Sequence, residues 1–296
     1  MYPINTSRGC GVHTERGYMG SPCIFKYFFV RNVKKHVNAE NCRRLVVKIG
    51  TSTLTHEEGH LNLRRIEALV KILSDFKNAG HQVVLVSSGA VSAGVARLGT
   101  HRPTCTKEKQ AMAAVGQSEL MKIYSRFFSD YGHTVAQMLL TKDVIDNPVR
   151  RAAAVDTFET LLEMGCVPIV DENDCVSTTE LNFGGNDTLS AYVALVSGAD
   201  LLINLSDVDG LFDSDPRKNE NAKLIARVER VDDVLDMAGG AGTERGTGGM
   251  ATKLEAARLV TEAGIPMFIL NGKDPHVLYE LLDGTAVGTY FAAQNK

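Results

Sequence analysis

Six short, β-rich apolar runs recur along this chain, at Leu45–Ile49, Val83–Val86, Thr134–Leu140, Val167–Val170, Leu201–Leu205 and Met267–Leu270. Stretches with helical spacing lie between them. Ile66, Leu69, Val70, Leu73 and Phe76 share one helical face, with Asn62 placed to cap the start and Gly80 to stop it. The same spacing predicts helices over Lys107–Phe128, Arg150–Met164, Thr188–Val196 and Ala251–Ala263, the last three ended by Gly165, Gly198 and Gly264. Parallel strands need crossover connections, and helices of this length provide them. The fold class is therefore α/β, a three-layer αβα sandwich around a mostly parallel sheet. Ligands of such sheets bind beyond the carboxyl ends of the strands. Chemistry is expected in the residues that follow each run.

After the first run that expectation meets an oddity. Lys48 lies inside Leu45–Ile49, and Gly50-Thr51-Ser52-Thr53 follow at once. A buried ammonium is costly unless an anion pairs with it. Gly50 allows close backbone approach, and free N–H groups beyond a strand suit a phosphate. The plainer alternative is a lysine that snorkels at a strand edge.

Other strand ends carry similar signals. Ser87-Ser88-Gly89-Ala90 opens a helix with a hydroxyl and unpaired N–H groups, suited to an anion or to simple capping. Asp171-Glu172-Asn173-Asp174 clusters acids that a substrate ammonium or Mg²⁺ could use, or forms a solvated acidic turn. Phe183-Gly184-Gly185-Asn186-Asp187 opens the helix from Thr188, with Asp187 either its cap or a functional group. Ser206-Asp207-Val208-Asp209-Gly210 imitates a calcium loop, but its glycine is out of frame and the distal Glu is missing. Gly246-Thr247-Gly248-Gly249-Met250-Ala251-Thr252-Lys253 is neither a P-loop nor a good dinucleotide fingerprint. It reads as a glycine loop closing over nucleotide phosphates, with a lysine one turn into the helix. No Ser-His-Asp or Cys-His set for covalent catalysis accompanies these motifs, and no dense His/Cys cluster. Two lysines, two glycine-rich cradles and an acid to orient the lysines fit phosphoryl transfer, which needs mainly positioning and charge neutralisation.

Composition narrows the partners. A formal net charge of -3 gives no electrostatic case for nucleic acid or an anionic membrane, and no apolar run is long enough to span a bilayer. The six cysteines contain no C-x-x-C pair, which favours a reducing compartment, the cytoplasm. Residues 1–42 carry Arg8, Arg16, Lys26, Arg31, Lys34 and Lys35 against Glu15 and Glu40, with no sustained hydrophobic period. They are expected to form a disordered or loosely docked extension, ahead of one domain over 43–296.

The order and spacing of these motifs from about residue 44 to 293 resemble the amino-acid kinase superfamily, and within it the glutamate-phosphorylating branch. The resemblance implies ATP-dependent phosphorylation of the L-glutamate γ-carboxylate, the first step of proline biosynthesis. Lys48 and Lys253 would neutralise the phosphoryl group in flight, and Asp187 would hold them. Ser88, Gly89, Asp171, Asp174 and Asn186 would bind glutamate. Lys48, Gly50, Ser206, Asp207, Thr247, Gly248, Gly249, Met250 and Lys253 would bind the nucleotide. Mg²⁺ would ride on the ATP phosphates without protein ligands of its own. The resemblance further implies a homodimer or tetramer, proline as feedback inhibitor, and a kinase domain without the C-terminal PUA domain of many bacterial members. Two positions depart from the family's usual pattern: Asp171 stands where Asn is frequent, and Gly185 where Asp is frequent. Open alternatives are a sister kinase acting on aspartate, acetylglutamate or a nucleoside monophosphate, and a non-catalytic nucleotide or proline sensor.

Overall fold

The computed structural model describes residues 39, 42–56, 59–178, 182–235 and 249–294. Nearly all of the N-terminal extension lies outside these residues, as do Gly246, Thr247 and Gly248. In chain order the elements are β1 (Arg44–Ile49), α1 (Thr51–Leu54), α2 (Leu63–Asn78), β2 (Gln82–Val86), α3 (Ala90–Leu98), α4 (Thr106–Asp130), β3 (Val135–Leu140), α5 (Lys142–Asp146) and α6 (Pro148–Glu163). They continue with β4 (Val167–Glu172), α7 (Asn186–Val196), β5 (Leu201–Ser206), β6 (Arg227–Val228), α8 (Met250–Glu262), β7 (Met267–Asn271), α9 (Val277–Leu282) and β8 (Gly288–Phe291).

All six expected strands are present, in one sheet of order β3-β4-β2-β1-β5-β7-β8-β6. Every pairing from β3 to β7 is parallel, whereas β8 runs antiparallel to β7 and β6 pairs parallel with β8. The two added strands are short and form the edge, which is why no apolar run announced them. Each parallel step passes through a helix, as the alternation requires.

Alternation along each strand divides the core in two. Leu45, Val47, Ile49, Leu85, Ile169, Ile203 and Leu270 pack with α2, α4 and α9 on one face. Val46, Val84, Val86, Val170, Leu202 and Ile269 pack with α6, α7 and α8 on the other. This parity aims Lys48, two residues past Val46, at the layer that contains α7. Caps set the helix starts: Asn62 accepts from the Arg65 N–H, and Asn147 accepts from the N–H groups of Val149 and Arg150.

Helices α3 and α4 touch through bare backbone. A Cβ added to Gly94 would lie 1.9 Å from the Met112 carbonyl oxygen, and one added to Gly116 would lie 1.6 Å from that of Ala90. No rotamer can relieve either clash, because the obstacle is main chain. Gly94→Ala and Gly116→Ala are each expected to lower unfolding stability by about 3 kcal/mol or more, read from urea denaturation. Wild-type midpoints would mean that the two helices stand further apart.

Candidate active site

The centre of the site is the carboxylate of Asp187, the second residue of α7. Its Oδ1 accepts from Lys48 Nζ at 2.5 Å and from Asn204 Nδ2 at 2.8 Å. Its Oδ2 lies 3.0 Å from Lys253 Nζ and 2.9 Å from the Thr252 hydroxyl. Each oxygen thus takes one ammonium and one neutral donor. The strand register explains half of this arrangement. Lys48 on β1 pairs with Asn204 on β5, so the two side chains rise side by side from the same face. Lys253 and Thr252 come from the first turn of α8.

Asp187 reaches this place because Gly184 and Gly185 turn the chain into α7 with φ of 76° and 136°, a region that residues with a Cβ rarely adopt. Gly185 is the N-cap and α7 begins at Asn186. Asp187 is therefore inside the helix, and the capping role considered for it does not apply. Likewise Ser88 does not cap α3; Gly89 does, without a side-chain hydrogen bond.

Lys48, Asp187 and Lys253 are 5%, 2% and 5% exposed. Burial acts to raise the Asp187 pKa, but the Lys48 and Lys253 ammoniums outweigh it and hold the carboxyl well below the usual range. Burial draws the Lys48 ammonium down, against the attraction of Asp187, and the like charge of Lys253 adds to the effect. One carboxylate is thus shared by two lysines, and the Asp207 charge adds to its pull on Lys48.

A second polar group lies across β2 and β4. Asn186 donates through Nδ2 to the Ser87 carbonyl (2.8 Å), the Ser88 hydroxyl (2.6 Å) and Asp171 Oδ1 (3.0 Å). Asp171 Oδ2 accepts from Gln117 Nε2 of α4 at 2.8 Å, and Gln137 of β3 donates to Gln117 Oε1 at 3.1 Å. Burial, with a smaller push from Asp174, raises the Asp171 carboxyl to about 7 against the pull of its hydrogen bonds. Glu172 turns away from this network. It accepts from the Ser177 hydroxyl and the Phe183 N–H, tying down both ends of the loop between β4 and α7. Asp174 is ion-paired with Lys109 of α4 at 3.1 Å.

On the other side of β1, Ser206 ends β5 and donates to the exposed Asp207 at 3.2 Å. Asp207 helps line a polar cavity of about 630 Å³ together with Ser52, Thr53, Arg65 and Lys273. A Cβ on Gly50 would sit 3.5 Å from Lys48 Nζ and fill the space beside that ammonium. Gly249 and Met250 open α8, while Thr247 and Gly248 lie outside the described residues.

Lys48, Asp187 and Lys253 thus meet as the sequence suggested, and so do Ser88, Asp171 and Asn186. Sequence reasoning missed Asn204, Thr252 and Gln117. Asn204 had one usable signal, an amide inside the apolar run Leu201–Leu205. Thr252 lies inside the Gly246–Lys253 motif, yet its contact with Asp187, like that of Gln117 with Asp171, depends on helix packing.

Residues 43–271 match the amino acid kinase family. The chain is 51% identical over 261 residues to a glutamate 5-kinase of Clostridium perfringens, covering 86% of this chain and 97% of the relative. It is 50% identical to those of Clostridium tetani and Symbiobacterium thermophilum, covering 86% of this chain in each case and 96% and 97% of the relatives. Among solved structures it is similar to an isopentenyl phosphate kinase in its substrate complex, with a TM-score of 0.59 and 16% identity. That match covers 84% of this chain and 99% of the other, and it shows the fold alone.

The charge balance can be tested by stability. Asp187→Asn removes the carboxylate that two buried ammoniums share and is expected to cost about 3–5 kcal/mol. Adding Lys48→Met should recover part of that loss, so that the two effects measured by urea unfolding are not additive. The depressed carboxyl fixes the pH window. Its contribution is complete above the ordinary carboxylate value of about 3.9 and fades only as the pH falls below it. Additive losses would mean that the pair is not coupled.

Proposed function

The chain belongs to the amino acid kinase family, and we propose that its Lys48–Asp187–Lys253 cluster performs the transfer for which its glutamate 5-kinase relatives are named. The protein moves the γ-phosphoryl group of ATP to the side-chain carboxylate of L-glutamate. The bond from the γ-phosphorus to the bridging oxygen of ATP breaks, a bond to the carboxylate oxygen forms, and ADP leaves. The product, γ-glutamyl phosphate, opens proline biosynthesis.

One observation carries the residue assignment: two buried lysines, Lys48 of β1 and Lys253 of α8, share the Asp187 carboxylate between two polar sites. The sheet order β4-β2-β1-β5 separates the groups on either side of Lys48. Ser88, Gly89, Asp171, Asp174 and Asn186, at the ends of β2 and β4 and the start of α7, take glutamate. Gly50, Ser206, Asp207, Gly249 and Met250 take the nucleotide, with Thr247 and Gly248 of the same glycine loop. Lys48 and Lys253 lie where these sites meet and offset charge on the phosphoryl group as it passes. Asp187 keeps both ammoniums in place. No general base is needed, since a carboxylate is already ionised at neutral pH.

The nucleotide's Mg²⁺ neutralises phosphate charge when bound. Among the described residues no group of three His, Cys, Asp or Glu side chains is placed to hold a metal ion. Among the described residues no helix is long and apolar enough to cross a membrane, and Cys42, Cys105, Cys166 and Cys175 are free thiols. These features support work in the reducing cytoplasm. Assembly as a dimer or tetramer, with proline as feedback inhibitor, completes the reading.

The test is ATP-dependent acyl phosphate formation, trapped with hydroxylamine, with glutamate, aspartate and acetylglutamate as acceptors. Hydroxamate is expected with glutamate alone. Lys48→Ala and Lys253→Ala should each lower turnover by about 10²–10³-fold while nucleotide binding, followed by calorimetry, is partly kept. Unchanged turnover in either variant would sink the mechanism.

A further inference from the structure

The residues assigned above to the nucleotide offer backbone, a serine and an aspartate, yet no cation besides Lys48 and Lys253. The polar cavity of about 630 Å³ beside them adds two. Arg65 comes from the first turn of α2, and Lys273 from the turn after β7. Asp207 is the one carboxylate among the lining residues. The walls come from α1, α2 and the ends of β5 and β7, so the cavity lies toward the layer of α2 rather than that of α7 and α8.

Both cations are held at the wall by the backbone around them. Asn62 caps α2 by accepting from the Arg65 N–H, and Arg65 Nη1 donates to the Thr53 carbonyl. This fixes the guanidinium while its Nε and Nη2 have no partner among the described residues. Gly272 lets the turn after β7 close on α1. A Cβ there would lie 2.8 Å from Leu205 Cβ and 3.1 Å from Thr53 Cγ2. Lys273 follows, exposed, and its ammonium has no partner among the described residues either. Thr53, which also lines the cavity, keeps a buried hydroxyl unpaired. Buried hydroxyls are rarely left so, and a binding role is one reason for it.

The cavity borders the point of transfer. A Cβ on Gly50 would sit 3.5 Å from Lys48 Nζ and 4.0 Å from Ser52 Oγ, and Ser52 is a wall residue. The same small space therefore touches the ammonium and the cavity. Asp207, another wall residue, is close enough for its charge to act on Lys48. In the sheet order the acceptor groups stand at β2 and β4, whereas the cavity stands at the ends of β1, β5 and β7. With the γ-phosphoryl group at Lys48 and Lys253, the phosphates behind it need charge compensation on this side. A guanidinium grips phosphate oxygens in pairs, and an ammonium serves as a point charge.

We propose that the cavity is an oxyanion subsite, with Arg65 and Lys273 as its cations, that holds the phosphates of the nucleotide behind the transferred group. The proposal rests on the preceding reading that the side of Gly50 and Asp207 takes the nucleotide. It makes nucleotide affinity depend on two charges outside the glycine loop.

The experiment is calorimetric titration of the full chain with ADP, inorganic tripolyphosphate and inorganic phosphate in magnesium-free buffer. KM for ATP and for glutamate is measured alongside. Lys273 is exposed, so its variants should unfold at the wild-type urea midpoint. Lys273→Ala is expected to weaken ADP and tripolyphosphate by about tenfold, Lys273→Glu by more and Lys273→Arg by little. Arg65→Gln should act in the same direction as Lys273→Ala. KM for ATP should rise with these losses while KM for glutamate does not change. ADP should displace both inorganic anions. Wild-type ADP affinity in both Lys273→Glu and Arg65→Gln overturns the proposal and leaves the nucleotide assignment standing. Phosphate that binds beside ADP without being displaced also overturns it, because the cavity then serves a free oxyanion. Failure of ADP to bind the wild-type chain overturns the nucleotide assignment and the proposal with it.

Discussion

Asp187 is the residue on which the arrangement of the site depends. Its carboxylate joins β1, β5 and α8 to the start of α7 through four donors. Buried ion pairs often contribute little net stability, because desolvation offsets attraction. This one is better placed than most, since both oxygens are saturated and two cations share the desolvation of one anion. The sharing is the informative part: two ammoniums from different layers of the fold converge on one carboxylate. In the proposed reaction they meet the phosphoryl group together.

Much of this was legible in the sequence, and the limits are physical. Regular alternation of apolar runs and helical faces was enough to call a parallel sheet with two helical layers. The signal failed at β6 and β8, where Arg227–Val228 is too short to show a pattern and Gly288–Phe291 begins with glycine and threonine. In the site, Lys48 stood out because a charge inside an apolar run is anomalous. Asn204 is nearly as anomalous, yet a neutral amide in a strand has many ordinary uses, and only the register with Lys48 reveals this one. Gln117 lies on a long helix beside Ala113, Gly116 and Leu120, and its spacing predicts nothing beyond a helical face. Asp187 was ambiguous between cap and functional group. The resolution came from two positive-φ glycines, which start the helix two residues earlier than expected and carry the carboxylate inward.

The two polar groups either side of β1 are built differently. On the acceptor side the contacts are side chain to side chain across four elements, with Asn186 and Gln117 as shared nodes. Networks of this kind hold one geometry well when every member is satisfied. Toward the nucleotide, the described residues are a strand-end serine, an exposed aspartate and glycine-rich backbone. Such a surface suits phosphates, which can be held by N–H groups without fixed side chains.

The glycine contact between α3 and α4 has a consequence for selectivity. Ser88 leads into α3, and Gln117 sits beside Gly116 on α4. At Gly94 and Gly116 the two helices meet main chain to main chain, with no side chain there to compress or re-rotamer. The pocket walls on either side of Asn186 are therefore one stiff body. In the proposed reaction an acceptor shorter by a methylene would not draw one wall toward it, and would lose either Lys48 or the end of β4. A yielding pocket would forfeit only the contact of the missing methylene, about 1 kcal/mol. A stiff one forfeits alignment at the reacting atoms as well, so that here the ruler that measures the substrate is the backbone itself.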